Sequence, residues 1–220
     1  MMDFAEISNI IEQRREELKS SKTLVEVIDY GAGSPNANRS KEQMQQGVIS
    51  QLPLASLASI GVKKEKAQQI FEIFKTLKPK RILELGTCCG FSSAYMGFFA
   101  PNAKIYTIEG SPNIAKVAKD SHRVFGLDNI KVLVGRFDEV LPKLLKEIDL
   151  IDFAFVDGHH DKFATLAYFQ EILPFMARGG VMLFDDIAWS AGMKEAWREV
   201  LAHNKHKRFQ DFGWMGALWL

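Results

Sequence analysis

From Arg81 onward, short apolar runs alternate with longer stretches whose apolar residues recur at helical spacing. The runs near 82–85, 105–108, 130–134, 152–156 and 181–184 read as strands, and 91–100, 112–125, 137–147, 162–173 and 193–203 as helices. Such alternation predicts an α/β fold: a parallel sheet with right-handed crossovers and helices on both faces. The last two apolar pieces, Phe209 to Phe212 and Met215 to Leu220, are separated only by Gly213 and Trp214. That gap is too short for a helical crossover and predicts an antiparallel hairpin closing the sheet. Ahead of the alternation, Phe4, Ile7, Ile10, Ile11 and Leu18 mark an amphipathic helix, and a turn-rich stretch runs from Tyr30 to Asn38. Ala67, Ile70, Phe71, Phe74 and Leu77 lie on one face of a further helix over 63–77. The chain is read as a helical lid extension over 1–60 followed by one α/β domain over 61–220.

The run Ile82 to Leu85 leads into a loop bearing Gly86 and Gly90, and a helix begins at Phe91. Glycine there allows tight turns and close approach of a ligand, and the helix offers free N–H groups to its anionic part. The second strand ends in Glu109, the place where nucleoside-binding α/β folds hold ribose hydroxyls. A dinucleotide site carries G-x-G-x-x-G. Here Glu84 stands inside the strand and the middle glycine is missing. An acid at that position repels pyrophosphate and suits a cationic or amine-bearing nucleoside, which S-adenosylmethionine is.

Two further strands end in acids: Val156 leads to Asp157-Gly158-His159-His160-Asp161, and Phe184 leads to Asp185-Asp186. Ligands of open α/β sheets bind beyond the carboxyl ends of the strands, so Asp157, Asp185 and Asp186 are expected to converge. Three convergent carboxylates call for a positive charge among them. Oxygen ligands favour Mg²⁺, Mn²⁺ or Ca²⁺ over zinc. Helix capping and turn formation are the competing explanation for the same acids.

Net charge is +1 and charged residues make up 25% of 220, which gives no electrostatic footprint for nucleic acid or an anionic membrane. No apolar run is long enough for a membrane span and the polar N-terminus does not read as a signal peptide. Cys88 and Cys89 are adjacent, a poor geometry for a mutual disulfide, and fit a reduced cytoplasmic protein.

In these motifs the chain resembles class I S-adenosylmethionine-dependent methyltransferases, and more narrowly the catechol O-methyltransferase-like group. The resemblance is carried by Ile82-Leu-Glu-Leu-Gly-Thr-Cys-Cys-Gly-Phe-Ser92, Tyr106-Thr-Ile-Glu109, Asp157-Gly-His-His-Asp161, Gly179-Gly180 and Asp185-Asp186, and extends from about Ile60 to Trp219. As a whole the chain is also similar to uncharacterised bacterial methyltransferases sharing Asp29 to Ser34 and Phe184 to Ser190. The family implies a Rossmann-like seven-stranded sheet with an antiparallel last strand. It implies that Glu84 and Gly86, with the loop Thr87-Cys88 and Gly90, meet the methionine end of the cofactor, and that Ser92 meets its carboxylate. Glu109, beside Gly110, would take the ribose hydroxyls. Gly135, Arg136 and Phe137 would enclose the adenine, His159 would stack on it, and Val62 would fold over the cofactor. Asp157, Asp185 and Asp186 match the ligands of metal-dependent members, Mg²⁺ first, though Asp-Asp stands where Asp-Asn is frequent. His160 stands where catechol-type members carry a lysine base, and Asp161 is the alternative base. Trp189 and Trp214 are candidate walls of the acceptor site, and Gly31, Gly33, Pro35 and Asn36 shape the lid.

The expected reaction is metal-assisted O-methylation of a small-molecule hydroxyl by His160 and Asp157, in the cytoplasm, without nucleic-acid or membrane partners. Similar enzymes pair subunits through N-terminal helices, which leaves a homodimer open. The competing readings are a metal-free N- or C-methyltransferase, a nucleotide-dependent oxidoreductase, and a cofactor-binding protein without turnover.

Overall fold

The computed structural model describes residues 2–34, 37 and 39–220. Pro35, Asn36 and Asn38 of the turn-rich stretch lie outside the described residues. Helix α1 (Phe4–Lys19) opens on a reciprocal cap, in which the Asp3 side chain accepts from the Glu6 amide and Glu6 accepts from the Asp3 amide. Its buried stripe is Ile7, Ile11, Arg15 and Leu18. Two antiparallel strands follow, β1 (Leu24–Asp29) and β2 (Val48–Pro53), with α2 (Lys41–Gln46) between them. The expectation of helix and turns alone over 1–60 missed this hairpin. In β1 the β-branched Val25 and Val27 bury one face, while Leu24 and Glu26 face outward. Short α3 (Leu54–Ala58) and α4 (Lys64–Leu77) lead into the main sheet.

That sheet contains β3 (Arg81–Leu85), β4 (Lys104–Glu109), β5 (Ile130–Val134), β6 (Ile151–Val156), β7 (Met176–Phe184), β8 (Arg208–Asp211) and β9 (Gly216–Trp219), in spatial order β5-β4-β3-β6-β7-β9-β8. The five strands from β5 to β7 are parallel, whereas β9 runs antiparallel to both β7 and β8. The intervening helices are α5 (Phe91–Phe99), α6 (Pro112–Val124), α7 (Phe137–Glu147), α8 (Lys162–Ile172) and α9 (Ala191–Ala202). Each element anticipated from Arg81 onward is present, most with ends within two residues, and β7 begins earlier, at Met176.

Alternate residues of the central strands enter two cores. Ile82, Phe153, Phe155 and Leu183 pack with α1, α4 and α5, while Leu83, Ala154, Met182 and Phe184 pack with α7, α8 and α9. The chain winds outward from β3 to β5, then returns to β6 on the other side of β3. The reversal lies between β3 and β6, where strand-end loops diverge and leave a crevice for a ligand.

Candidate active site

Hydrogen bonds continue past the strand ends and draw the loops together. Gly86 N–H donates to Ile108 O at 3.0 Å, Asp157 N–H to Leu85 O at 2.9 Å, and Asp185 N–H to Val156 O at 3.0 Å. Gly86 holds φ +99°, and a Cβ there would lie 1.9 Å from the Asp157 carbonyl oxygen. Only glycine lets the loops after β3 and β6 touch. Gly90 is left-handed as well, with His122 Nε2 where its Cβ would fall. His122 reaches the Gly90 carbonyl at 3.2 Å and Ser93 Oγ at 2.9 Å, so α6 buttresses the glycine loop from below.

A cavity of about 910 Å³ opens above these loops. At one side Glu109 accepts from the Cys88 amide and the Ser111 amide, both at 2.9 Å, so both oxygens are fixed. Burial raises its pKa. The Tyr30 ring lies over Gly110, where a Cβ would meet Tyr30 Cδ2 at 2.7 Å. Arg136 donates to the Gln45 carbonyl at 2.6 Å and pairs with Asp138. Phe137 packs edge-on against Tyr168, and Gly158 leaves room for its ring. The segment after β1 therefore reaches the loops that follow β4 and β5. Its Ala32 amide also donates to the His159 carbonyl at 2.7 Å, which ties it to the loop after β6.

The acids gather at the other side. Asp157, Asp185 and Asp186 all line the cavity, with Lys66 of α4 among them. Lys66 Nζ lies 2.6 and 2.7 Å from the two Asp185 oxygens and 3.2 Å from Asp186 Oδ1. Burial works against the lysine charge, but Asp185, Asp186 and Asp157 together hold the ammonium above its ordinary pKa. Burial pushes Asp157 well up, and repulsion from Asp185 and Asp186 adds to it. Burial also raises Asp185, against the pull of Lys66.

His159 and His160 both adopt left-handed backbone, φ +69° and +51°, and Asp186 does so at +53°. Non-glycine residues rarely occupy that region, and runs of them mark loops held by their surroundings. His159 Nδ1 bonds the Tyr168 hydroxyl at 2.8 Å, and burial lowers its pKa. His160 Nδ1 stands 3.9 Å from Asp186 Oδ2, and its ring lies 6.0 Å from that of Trp189. Asp161 borders the cavity as well, and one oxygen of its carboxylate caps α8, accepting from Ala164 N–H at 3.0 Å.

Of the residues expected at the site, Gly86, Cys88, Glu109, Gly110, Arg136, Phe137, Asp157, His159, His160, Asp185 and Asp186 border this one cavity. Val62, Glu84, Thr87, Gly90, Ser92 and Gly135 do not. Val62 is fully buried, and so is Glu84, whose Oε2 accepts from Thr107 Oγ1 at 2.5 Å. Thr87 Oγ1 meets the same Thr107 hydroxyl at 2.5 Å. Burial pushes Glu84 up to about 7, against the pull of the Ser92, Thr107 and Ser93 hydroxyls. Glu84 and Thr87 thus meet through Thr107 behind the glycine loop. Trp189 borders the cavity, whereas Trp214 lies outside it and is 55% exposed. Lys66 and Tyr30 were not anticipated.

The family described as a methyltransferase domain matches residues 83–187. Over 130 residues the chain is 30% identical to catechol O-methyltransferase of Sus scrofa, covering 57% of this chain and 70% of that protein. The chain belongs to the catechol O-methyltransferase-like group of class I S-adenosylmethionine-dependent methyltransferases. The catechol O-methyltransferase of Mycobacterium tuberculosis is 29% identical over 141 residues, covering 63% of this chain and 62% of that protein. The chain thus spans about two thirds of the length of these relatives. Among solved structures, an O-methyltransferase from Bacillus cereus in complex with SAH superposes with a TM-score of 0.66 at 20% identity, covering 76% of this chain and 86% of that one. That likeness shows the shared methyltransferase fold.

Methyltransferases of this group raise the question of a divalent metal. Among the described residues, no group of three or more His, Cys, Asp or Glu side chains is arranged to hold a metal ion. The donor chemistry nevertheless suits one. Three carboxyl groups face one ammonium in a largely buried cluster of hard oxygen donors, and their mutual repulsion is what a further positive charge would relieve. Both Asp185 oxygens are covered by Lys66, so a bound cation needs this lysine to yield. Among the described residues, no helix is long and apolar enough to cross a membrane.

Proposed function

We propose that the protein transfers the methyl group of S-adenosylmethionine to a hydroxyl oxygen of a small molecule, with a divalent cation at the aspartate cluster. The observation that carries this reading is the placement of Glu109 and the aspartates in one cavity. Asp157 lies two strands from Glu109 and Asp185 three, so at roughly 4.8 Å per strand the acids stand about 10–14 Å apart. That span accommodates a nucleoside with its amino-acid arm, with the sulfur near the aspartates.

Glu109, fixed by the Cys88 and Ser111 amides, presents a carboxylate to the ribose hydroxyls. Arg136, Phe137 and His159 surround the base. Asp157, Asp185 and Asp186 would hold the cation, which would supply positive charge favouring loss of the acceptor's proton. His160, at the edge of that cluster, removes the proton. The methyl donor supplies an electrophilic carbon on a positive sulfur; the new bond is O–CH₃ and the broken one S–CH₃. Since opposite charges are neutralised, the cavity contributes chiefly by aligning the partners and excluding water. The same reading assigns 61–220 as the catalytic unit and 1–60 as its lid, supported by the contacts of Tyr30 with Gly110 and of Ala32 with His159.

One observation favours a second reading. Lys66 already supplies a cation to Asp185 and Asp186, which suits a metal-free methyltransferase. Calorimetric titration of SAH, then methyl transfer to a panel of catechols with EDTA or Mg²⁺, separates the two. The first reading expects SAH binding lost in Glu109→Ala and Mg²⁺-dependent turnover lost in Asp185→Ala. Turnover indifferent to EDTA would move the assignment to the metal-free enzyme, and no SAH binding would end both.

A further inference from the structure

We propose that Arg15 is a positioning residue for the cofactor: its guanidinium sets the loop over residues 58–62 that walls the cavity. The proposal rests on reading the cavity as the S-adenosylmethionine site. Arg15 lies on the buried stripe of α1, between Ile11 and Leu18, and is 3% exposed. A guanidinium in such a place is costly unless its donors find partners. Nη1 donates to the carbonyls of Ala58 at 2.9 Å and Ile60 at 3.0 Å, and Nη2 to that of Val62 at 2.6 Å. Nε donates to Glu12 at 2.8 Å. Three carbonyls from one short stretch thus turn toward a single side chain.

That stretch joins α3 to α4, and its Gly61 has φ +81°. Carbonyls in such a turn have no strand partner, so what binds them decides the shape of the loop. On its other side, Leu57, Ile60 and Gly61 border the cavity. The Arg15 guanidinium also lies 4.0 Å from the centre of the Phe91 ring, and Phe91 opens α5 directly after Gly90. One side chain therefore touches both the wall of the cavity and the start of the helix that follows the glycine loop. Glu12 continues the link, accepting from the Tyr95 hydroxyl of α5 at 3.2 Å. Docking of α1 does not by itself require this arrangement, since Ile7 and Ile11 bury the same face by apolar contact. The forked geometry is specific to arginine; lysine keeps the charge but cannot hold three carbonyls in fixed directions.

The test compares wild type, Arg15→Lys and Arg15→Met with Ile11→Ala, which loosens α1 without touching the loop's carbonyls. SAH affinity is read by calorimetry, amide exchange over residues 59–62 by mass spectrometry, and kcat at saturating cofactor with the best acceptor. The proposal expects both Arg15 variants to lose about tenfold in SAH affinity, with faster exchange over 59–62 and kcat within about threefold. Ile11→Ala should melt earlier yet bind SAH within about twofold of wild type. SAH affinity retained in Arg15→Lys would overturn the proposal, and so would an equal loss in Ile11→Ala. If Arg15→Met does not fold, Arg15→Lys decides. Failure of the wild type to bind SAH would overturn the reading of the cavity, while the exchange data would still judge whether Arg15 holds the loop.

Discussion

His122 and Glu84 flank the glycine loop, and burial disfavours the charged form of each. Burial lowers His122 to about 4, against the opposing hydrogen bond with the Gly90 carbonyl. The unfolded chain then takes up a proton near pH 6.5 that the folded protein refuses. This part of the stability is present above pH 6.5 and is lost as pH falls toward 4, by roughly 3 kcal/mol in all. Glu84, raised to about 7, acts with the opposite sign. Its unfolded form releases a proton near 4.5 while the folded form keeps it, so stability falls as pH rises from 4.5 to 7. The windows overlap and offset one another in the wild type. Urea unfolding of wild type and His122→Gln between pH 4 and 7.5 should separate them. The wild type is expected to lose about 3 kcal/mol more than the variant on acidification, and parallel profiles would refute the assignment to His122. Neither environment was legible in the sequence. Glu84 sits in a strand buried on both faces, and there the two-residue alternation no longer tells which side meets a ligand. Arg15 left a trace, as a charge on the apolar stripe of Ile7, Ile11 and Leu18. Lys66 left none, because its partners lie more than a hundred residues away.

At the level of elements, the strand–helix alternation after Arg81 was legible because its apolar runs are short and helices such as α6, α7 and α9 are amphipathic. The β1–β2 hairpin was not. Its strands are short, and they are joined through the turn-rich stretch and α2 rather than by a two-residue turn that would signal their pairing. The elements meet at contacts that single glycines permit, and Gly86 is the most demanding. Alanine there must adopt a backbone angle unfavourable to it and displace the Asp157 carbonyl. Gly86→Ala should therefore cost on the order of 3 kcal/mol or more and abolish SAH binding. Gly213 has a similar φ but open space around it; alanine there should cost about 1 kcal/mol and leave the cavity intact. Melting temperatures of the two variants check the contrast, and similar losses at both positions would mean that the loop after β3 moves freely away from Asp157.

For the whole molecule, the position of the cavity follows from strand order. The reversal between β3 and β6 opens the crevice at the carboxyl ends of the sheet, and alternation alone made that end predictable. The upper wall was less predictable. The segment after β1 closes over the crevice through Tyr30, Ala32 and Gln45, contacts made across long sequence separations. A ligand in this space touches both the sheet and the N-terminal segment, so it binds the folded protein and has little affinity for the unfolded chain. SAH at a hundred times its dissociation constant should then stabilise the protein by about 2.7 kcal/mol. For a chain of this length that corresponds to a rise of roughly 5–11 °C in melting temperature. Glu109→Ala should lose the rise at the same SAH concentration, because the ribose hydroxyls lose their carboxylate while the apolar walls remain. Adding Mg²⁺ with SAH should raise the transition further only if the cation displaces Lys66 from Asp185, so Lys66→Ala should enlarge that increment. An unchanged melting temperature in wild type with SAH would show that the nucleoside does not bind between the sheet and the segment after β1.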